Sequence, residues 1–291
     1  MRQICSRTLA QKSIDTARPC PYTAEMSKPL LDLMLDAARA ASSAIMDVYL
    51  TDFEHVSKSD GSPVTVADQR AETLIIESLR HTGIPILAEE SAAAGIVPML
   101  GERFFVVDPL DGTKEFLKRN GEFTVNIALC EGGRPTLGVV LAPATGATFV
   151  GGPDGAFEIT SRDERLALRT KAEGPMKVVA SRSHGHGALE HFCQVFQVVD
   201  DVSVGSSLKF CLVAKGEAQL YPRFTPTSEW DTAAGQAVLE AAGGAVLCLD
   251  GTPLRYGKGG DNLNPFFIAA ATPDLARRGA EEMRRLLAAA R

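Results

Sequence analysis

The chain has 291 residues, 45% of them apolar and 23% charged, which is the make-up of a globular protein with room for one large domain or two of ordinary size. A formal net charge of −6 argues against a nucleic-acid-binding surface, and no apolar run approaches the ~20 residues needed to cross a bilayer. Cys5, Cys20, Cys130, Cys193, Cys211 and Cys248 are scattered without metal-finger spacing, several in apolar segments, and read as reduced, mostly buried thiols of a cytosolic protein.

Residues 1–25 carry Arg2, Arg7, Lys12 and Arg18 with few acids and no apolar signal core, and read as a disordered extension outside the fold or an over-long start ahead of Met26, with a weak organelle-targeting segment as the alternative. Apolar residues at helical spacing (Leu31, Leu35, Ala38, Ala41, Ile45, Val48) predict a helix over 30–50. The stretch 57–66 is polar and turn-rich, 67–81 is a second helix with Leu74, Ile75 and Leu79 inward, and 84–87 is a short strand running into Glu89 and Glu90. After an apolar strand from Phe104 and an Asp-rich turn come strands at 123–129, 138–141, 147–151 and 156–159, spaced by glycine turns as in an antiparallel sheet.

The charged stretch 161–173 is read as irregular and as a domain boundary, which gives an α+β unit over 26–165 and an α/β unit over 166–291. In the second unit strands are expected at 177–180, 198–204, 219–221, 245–249 and 266–270. They alternate with helices at 187–196, 208–215 and 231–242, and a final helix is capped by Thr272-Pro273-Asp274.

The chemistry concentrates in Phe104-Phe105-Val106-Val107-Asp108-Pro109-Leu110-Asp111-Gly112-Thr113. Asp-Pro and Asp-Gly read as a sharp turn at a strand end, and such dipeptides also form plain turns. Two carboxylates on one turn make a hard oxygen cage suited to Mg²⁺, and the Gly-Thr can open a helix whose N–H groups hold phosphate. The aspartates stand three apart, whereas the aspartyl-phosphate enzymes of the haloacid dehalogenase type have them two apart, so metal ligands are favoured over a nucleophile. Asp68, Glu89, Glu90 and Asp231 also fall at element ends. Each alone reads as a cap or a solvated charge; together they can converge on one cleft and serve two-metal hydrolysis.

These motifs resemble the inositol monophosphatase superfamily of lithium-sensitive, Mg²⁺-dependent phosphatases. The match lies at Ala88-Glu89-Glu90, at Asp108 to Thr113, and at Trp230-Asp231-Thr232-Ala233-Ala234-Gly235. Within the superfamily the chain is most similar to the bacterial CysQ-type 3'(2'),5'-bisphosphate nucleotidases. That likeness rests on 114–123, on Ser181-Arg182-Ser183-His184, on Gly205-Ser206-Ser207-Leu208-Lys209-Phe210 and on Tyr221-Pro222-Arg223-Phe224. The resemblance implies a layered α-β-α-β-α sandwich with an antiparallel sheet in the N-terminal half and α/β structure in the C-terminal half.

It further implies two or three Mg²⁺ ions held by Glu89, Asp108, the Leu110 carbonyl, Asp111 and Asp231. Asp68 and Thr113 would activate the attacking water, and Glu90 would help position it. The N–H groups of Gly112 and Thr113 would hold the scissile phosphate beside Glu89, Leu110, Asp111 and Asp231. His184, Ser206, Lys209 and Arg223 would meet the nucleotide and its second phosphate. His184 reads equally as a polar loop residue between glycines, and Lys209 and Arg223 as surface cations. Trp230 reads as structural, and Lys58 with the 59–63 loop as a further approach to the site.

The reaction so implied is removal of the 3'-phosphate from adenosine 3',5'-bisphosphate by metal-activated water, with its 5'-phosphosulfate form (PAPS) as a second substrate and a role in sulfur assimilation. The implied partner is this small nucleotide and no nucleic acid. The implied location is cytoplasmic, with peripheral contact to the inner face of the membrane in some relatives. An inositol or sugar monophosphatase is the alternative of the same chemistry, and a nucleotide-binding sensor on a phosphatase scaffold is the non-enzymatic one.

Overall fold

In a computed structural model that describes residues 24–52, 55–57, 63–180 and 187–289, the helical spacing near the N-terminus becomes α1 (Ala24–Tyr49). It starts ahead of the expected 30, and Leu35, Ala38, Ala41, Ile45 and Val48 are buried as the periodicity requires. The polar stretch after it contains a short antiparallel pair, β1 (His55–Ser57) and β2 (Pro63–Thr65), too brief to show alternation in sequence. Lys58 and most of the 59–63 loop lie outside the described residues, as do 1–23. α2 (Val66–Leu79) follows, opened by a capping box between Thr65 and Asp68.

The next elements are β3 (Ile86–Ala88), α3 (Glu89–Ala93), β4 (Arg103–Asp111), α4 (Thr113–Leu117), β5 (Thr124–Glu131), β6 (Arg134–Ala142), β7 (Ala147–Gly152), β8 (Gly155–Ile159) and β9 (Arg165–Leu168). They form a seven-stranded sheet in chain order, parallel only between β3 and β4. β9 lies inside the stretch expected to be irregular. Its Arg165, Leu166 and Ala167 are exposed and only Leu168 is buried, so four residues of an edge strand leave too little burial to mark it in the sequence.

Then come β10 (Lys177–Ala180), α5 (Gly187–Val195), β11 (Asp200–Ser203), α6 (Leu208–Ala214), β12 (Leu220–Arg223), α7 (Ala233–Ala241), β13 (Ala245–Cys248), β14 (Phe267–Ala270) and α8 (Pro273–Ala289). The second sheet has the order β11-β10-β12-β14-β13. It is parallel across β11, β10 and β12 and antiparallel from β12 through β14 to β13.

Five layers result. α1 and α2 cover one face of the first sheet through Ile45, Ile75, Phe105 and Val107. Phe104, Val106, Ala128 and Val140 on its other face meet α6 and α7, which also receive Val179, Tyr221 and Phe267 of the second sheet. α5 and α8 close the far side over Val178, Leu220 and Ile268. This is the α-β-α-β-α sandwich expected from the resemblance.

The central layer lies unusually close to the first sheet. Gly138 of β6 and Gly151 of β7 are directly paired, and a methyl group at either would stand 2.5 Å from a backbone carbonyl oxygen of α7, at Ala234 or Ala237. The obstacle is helix backbone, which cannot rotate away. We expect Gly138→Ala to lower stability by about 1–3 kcal/mol or more in urea unfolding. An unchanged midpoint would show that α7 has slack against the sheet.

Candidate active site

β4 delivers both of its aspartates to one side of the sheet by means of a bulge. Residues three apart on a regular strand face opposite ways. Here Asp108 pairs with Asn126 and Asp111 with Thr124, so β4 spends one more residue than β5 over the same span. The extra residue sends Leu110 into the α1/α2 core and returns Asp111 to the side of Asp108. Pro109 has no N–H to leave unpaired, and the Leu110 N–H donates to Asp108 Oδ1 at 3.0 Å. The segment is therefore a continued, bulged strand, where the sequence suggested a sharp turn at the strand end.

Asp231 arrives from the turn between β12 and α7, its Oδ2 accepting the Ser228 N–H at 2.8 Å. Asp108, Asp111 and Asp231 each bring one carboxylate oxygen within 4.8 Å of the others. Glu89, the first residue of α3, reaches the same place and shares a hydrogen bond with Asp108. Burial, and then the neighbouring Glu89, Asp111 and Asp231, push the Asp108 carboxyl well above the usual range. Burial, Asp111 and Glu89 push Asp231 up to about 8. A group of hard oxygen donors with too much negative charge for its burial fits a divalent cation.

Asp68 is buried at the start of α2 and is held rigidly. Its Oδ2 accepts both the N–H and the hydroxyl of Thr65 at 2.7 Å, while Oδ1 accepts the Thr113 hydroxyl at 3.2 Å. Thr113 Oγ1 also lies 3.3 Å from the Leu110 carbonyl oxygen. One helical turn beyond Asp68, Glu72 accepts the N–H groups of Glu90 and Ser91, each at 2.8 Å, and the Ser91 hydroxyl at 2.6 Å. It thereby fixes the first turn of α3, which carries Glu89 and Glu90. Glu72 was absent from the sequence reading, although an acid one turn from Asp68 on the inward face of α2 was a visible signal.

The central helical layer and the second sheet each contribute a cation. Lys209 on α6 is buried, donates to the Ser206 carbonyl at 2.9 Å and lies 5.9 Å from the Tyr221 ring centre. Burial lowers its ammonium to about 8, with Arg223 adding to the effect against the pull of Asp111. Arg223 donates to the carbonyls of Thr225 and Pro226 at 3.3 and 3.4 Å. Neither residue is a free surface cation of the kind the sequence left open. Ser206 has φ +48° and a buried hydroxyl without a hydrogen-bond partner among the described residues. Its Cβ lies 3.4 Å from the Cβ position that Gly112 lacks, and Gly112 itself, at φ +91°, caps α4. Trp230 packs against the central core, as expected of a structural residue. His184 lies outside the described residues.

The profile of the inositol monophosphatase family matches residues 26–288. The 3'(2'),5'-bisphosphate nucleotidase CysQ of Shigella flexneri is 48% identical over 242 residues, which is 82% of this chain and 98% of that protein. The crystal structure of CysQ from Bacteroides thetaiotaomicron superposes with a TM-score of 0.71 at 38% identity, covering 84% of this chain and 97% of that one. An inositol monophosphatase from Anabaena shares the fold at a TM-score of 0.69 and 24% identity, covering 89% of this chain and 96% of its own.

Ser207 falls within the Gly205–Phe210 motif, but its sequence position gives no hint of its role. It stands at the N-cap of α6 yet makes no cap there. Its N–H and hydroxyl instead reach Asp111 Oδ2 at 2.6 and 2.8 Å, and the hydroxyl also lies 2.8 Å from the Asp231 carbonyl and from the Asn126 amide nitrogen. One side chain thus ties two acids of the cluster together across the two sheets. We expect Ser207→Ala to fold normally and to weaken divalent-cation affinity about 10- to 100-fold in calorimetric titration. Unaltered affinity would reduce the hydroxyl to a space filler.

Proposed function

The chain belongs to the inositol monophosphatase family, and from that premise we propose that it is a Mg²⁺-dependent 3'(2'),5'-bisphosphate nucleotidase. It removes the 3'-phosphate of adenosine 3',5'-bisphosphate, giving AMP and phosphate. The observation that carries the choice of substrate is the buried ammonium of Lys209, with Arg223 close enough to perturb it, on the second-sheet side of the acid cluster. A monophosphate ester has one anion to place; a bisphosphate has a second that needs its own cations. The likeness to nucleotidases named CysQ points the same way.

Glu89, Asp108, Asp111, Asp231 and the Leu110 carbonyl would hold two or three Mg²⁺ ions, which when bound supply Lewis-acid activation of water and charge stabilisation of the leaving oxygen. The remaining work belongs to the chain. Thr113 donates its proton to Asp68 Oδ1, which leaves an oxygen lone pair to accept a proton from the attacking water. Asp68 is kept in that role because its other oxygen is saturated by Thr65. The N–H groups of Gly112 and Thr113, at the start of α4, receive the scissile phosphate, and Glu90 on the fixed turn of α3 orients water. Water attacks phosphorus in line as its proton passes through Thr113 to Asp68, the bond to the 3'-oxygen breaks, that oxygen takes a proton from solvent to become the ribose hydroxyl, and Asp68 returns its own to solvent.

His184, Ser206, Lys209 and Arg223 hold the nucleotide and its non-reacting phosphate. The 5'-phosphosulfate form of the nucleotide (PAPS), which carries the same 3'-phosphate, is a second substrate, lithium competes at the cation site, and disposal of the bisphosphate left by sulfate activation is the metabolic role. Cys130, Cys193, Cys211 and Cys248 are free thiols, which supports a cytoplasmic setting. No helix among the described residues is long and apolar enough to cross a membrane.

With Mg²⁺ present, phosphate release from adenosine 3',5'-bisphosphate should exceed that from inositol 1-phosphate by at least ~10-fold in kcat/KM, and it should stop when the cation is chelated. Faster turnover of inositol 1-phosphate would overturn the assignment. Lys209 is charged below about 8 and loses its proton above it, so KM for the bisphosphate should rise as the pH passes 8 while KM for the monophosphate stays level. Parallel profiles would remove Lys209 from the second phosphate site.

A further inference from the structure

Asp231 is held from behind by a loop that supplies none of the acids of the cluster. Two residues before it, Glu229 is fully buried. A buried carboxylate is tolerated only with a matching charge and donors. Both come from the connection between β13 and β14, where the N–H groups of Gly257 and Lys258 donate to Glu229 at 2.6 and 3.2 Å, and Lys258 Nζ at 2.7 Å. The same ammonium donates to the Arg255 carbonyl at 3.0 Å and to Asn264 Oδ1 at 3.1 Å, so all three of its protons are engaged.

Asn264 carries the link onward. Its amide nitrogen donates to the Ser228 carbonyl at 2.7 Å and to the Thr232 hydroxyl at 2.9 Å, the residues that bracket Asp231 in the turn. Main-chain bonds run alongside, from Glu229 N to the Asn262 carbonyl at 2.9 Å and from Asn264 N to the Thr227 carbonyl at 2.8 Å. The N–H of Ser228 is in turn the group that orients the Asp231 carboxylate. Slack anywhere in 227–229 therefore reaches Asp231 through one covalent step and one hydrogen bond.

We propose that Lys258 and Asn264 are positioning residues for the cation site, clamping the Asp231 turn so that its carboxylate meets Asp108 and Asp111 at ligand distance. The proposal rests on the reading of the acid cluster as a cation site. It makes the β13–β14 connection part of the catalytic apparatus, although these two side chains act on Asp231 only through Glu229, Ser228 and Thr232.

Trp230, the single tryptophan of the chain, adjoins Asp231 and makes intrinsic fluorescence a local probe. Mg²⁺ is titrated into the full chain and into Lys258→Met, Asn264→Ser and Lys215→Met, following this fluorescence and, separately, phosphate release from the bisphosphate. Lys215→Met breaks the ion pairs with Glu158 and Glu217 at the opposite end of α6 and serves as the destabilised control. The Mg²⁺ midpoint should rise about 10-fold or more in Lys258→Met and Asn264→Ser by both readouts, with KM for the nucleotide changing much less, and should stay put in the control.

Midpoints equal to wild type in the two loop variants would overturn the proposal, whatever their melting temperatures. Should Lys258→Met not fold, Asn264→Ser decides by the same criterion. A wild-type chain that shows no response to Mg²⁺ in either readout would refute the cation reading itself, a result distinct from failure of the clamp.

Discussion

Mutual repulsion among clustered carboxylates, Asp108 buried and Asp111 and Asp231 half-buried, governs this molecule. Asp108, Asp111 and Asp231 hold oxygens within 4.8 Å of one another, with Glu89 in contact with Asp108. At such separations in a poorly hydrated site, like charges oppose each other by several kcal/mol even at a generous effective dielectric, on the order of 4 kcal/mol per pair. No arrangement of apolar packing removes that cost. Proton uptake relieves it, as the raised Asp108 and Asp231 show, and a divalent cation relieves it by taking the protons' place; the parts of the fold that hold the acids together are the parts that make such a site.

Those parts come from both sheets. The bulge in β4 turns Asp111 back beside Asp108. Glu72 anchors the first turn of α3 and with it Glu89. Ser207 joins Asp111 to the main chain of Asp231, and Glu229 fastens the Asp231 turn to the β13–β14 connection. Gly138 and Gly151 let α7, which begins just after Asp231, settle onto the first sheet. The site thus sits where the central helical layer meets the first sheet, and its acids come from separate parts of the sequence coupled through short, part-buried hydrogen bonds.

Much of this was legible in the sequence. Helical periodicity located α1 and α2, and glycine-punctuated apolar runs located β5 to β8, because in each case burial writes its period directly into residue order. β9 escaped because an edge strand can be charged, and the β1–β2 pair because three residues carry no period. At the site, the acids themselves stood out at element ends. Their supports did not. Ser207 looks like an ordinary helix cap, Lys258 and Asn264 like loop polar residues, and only the folded chain shows what their donors reach. The bulge was likewise hidden, since Asp-Pro-Leu-Asp is equally good turn chemistry.

The most direct test of the central claim is calorimetric titration of Mg²⁺ at pH 7 in two buffers of different ionisation enthalpy. Burial and the neighbouring acids push Asp108 above the usual carboxylate range and Asp231 up to about 8, so a cation, which binds the ionised carboxylate, competes with protons near neutral pH. Saturable binding with heats that differ between the buffers, showing protons released, is the expected result. Binding with identical heats in both, or no saturable binding, would contradict the account of a charge-starved carboxylate cage.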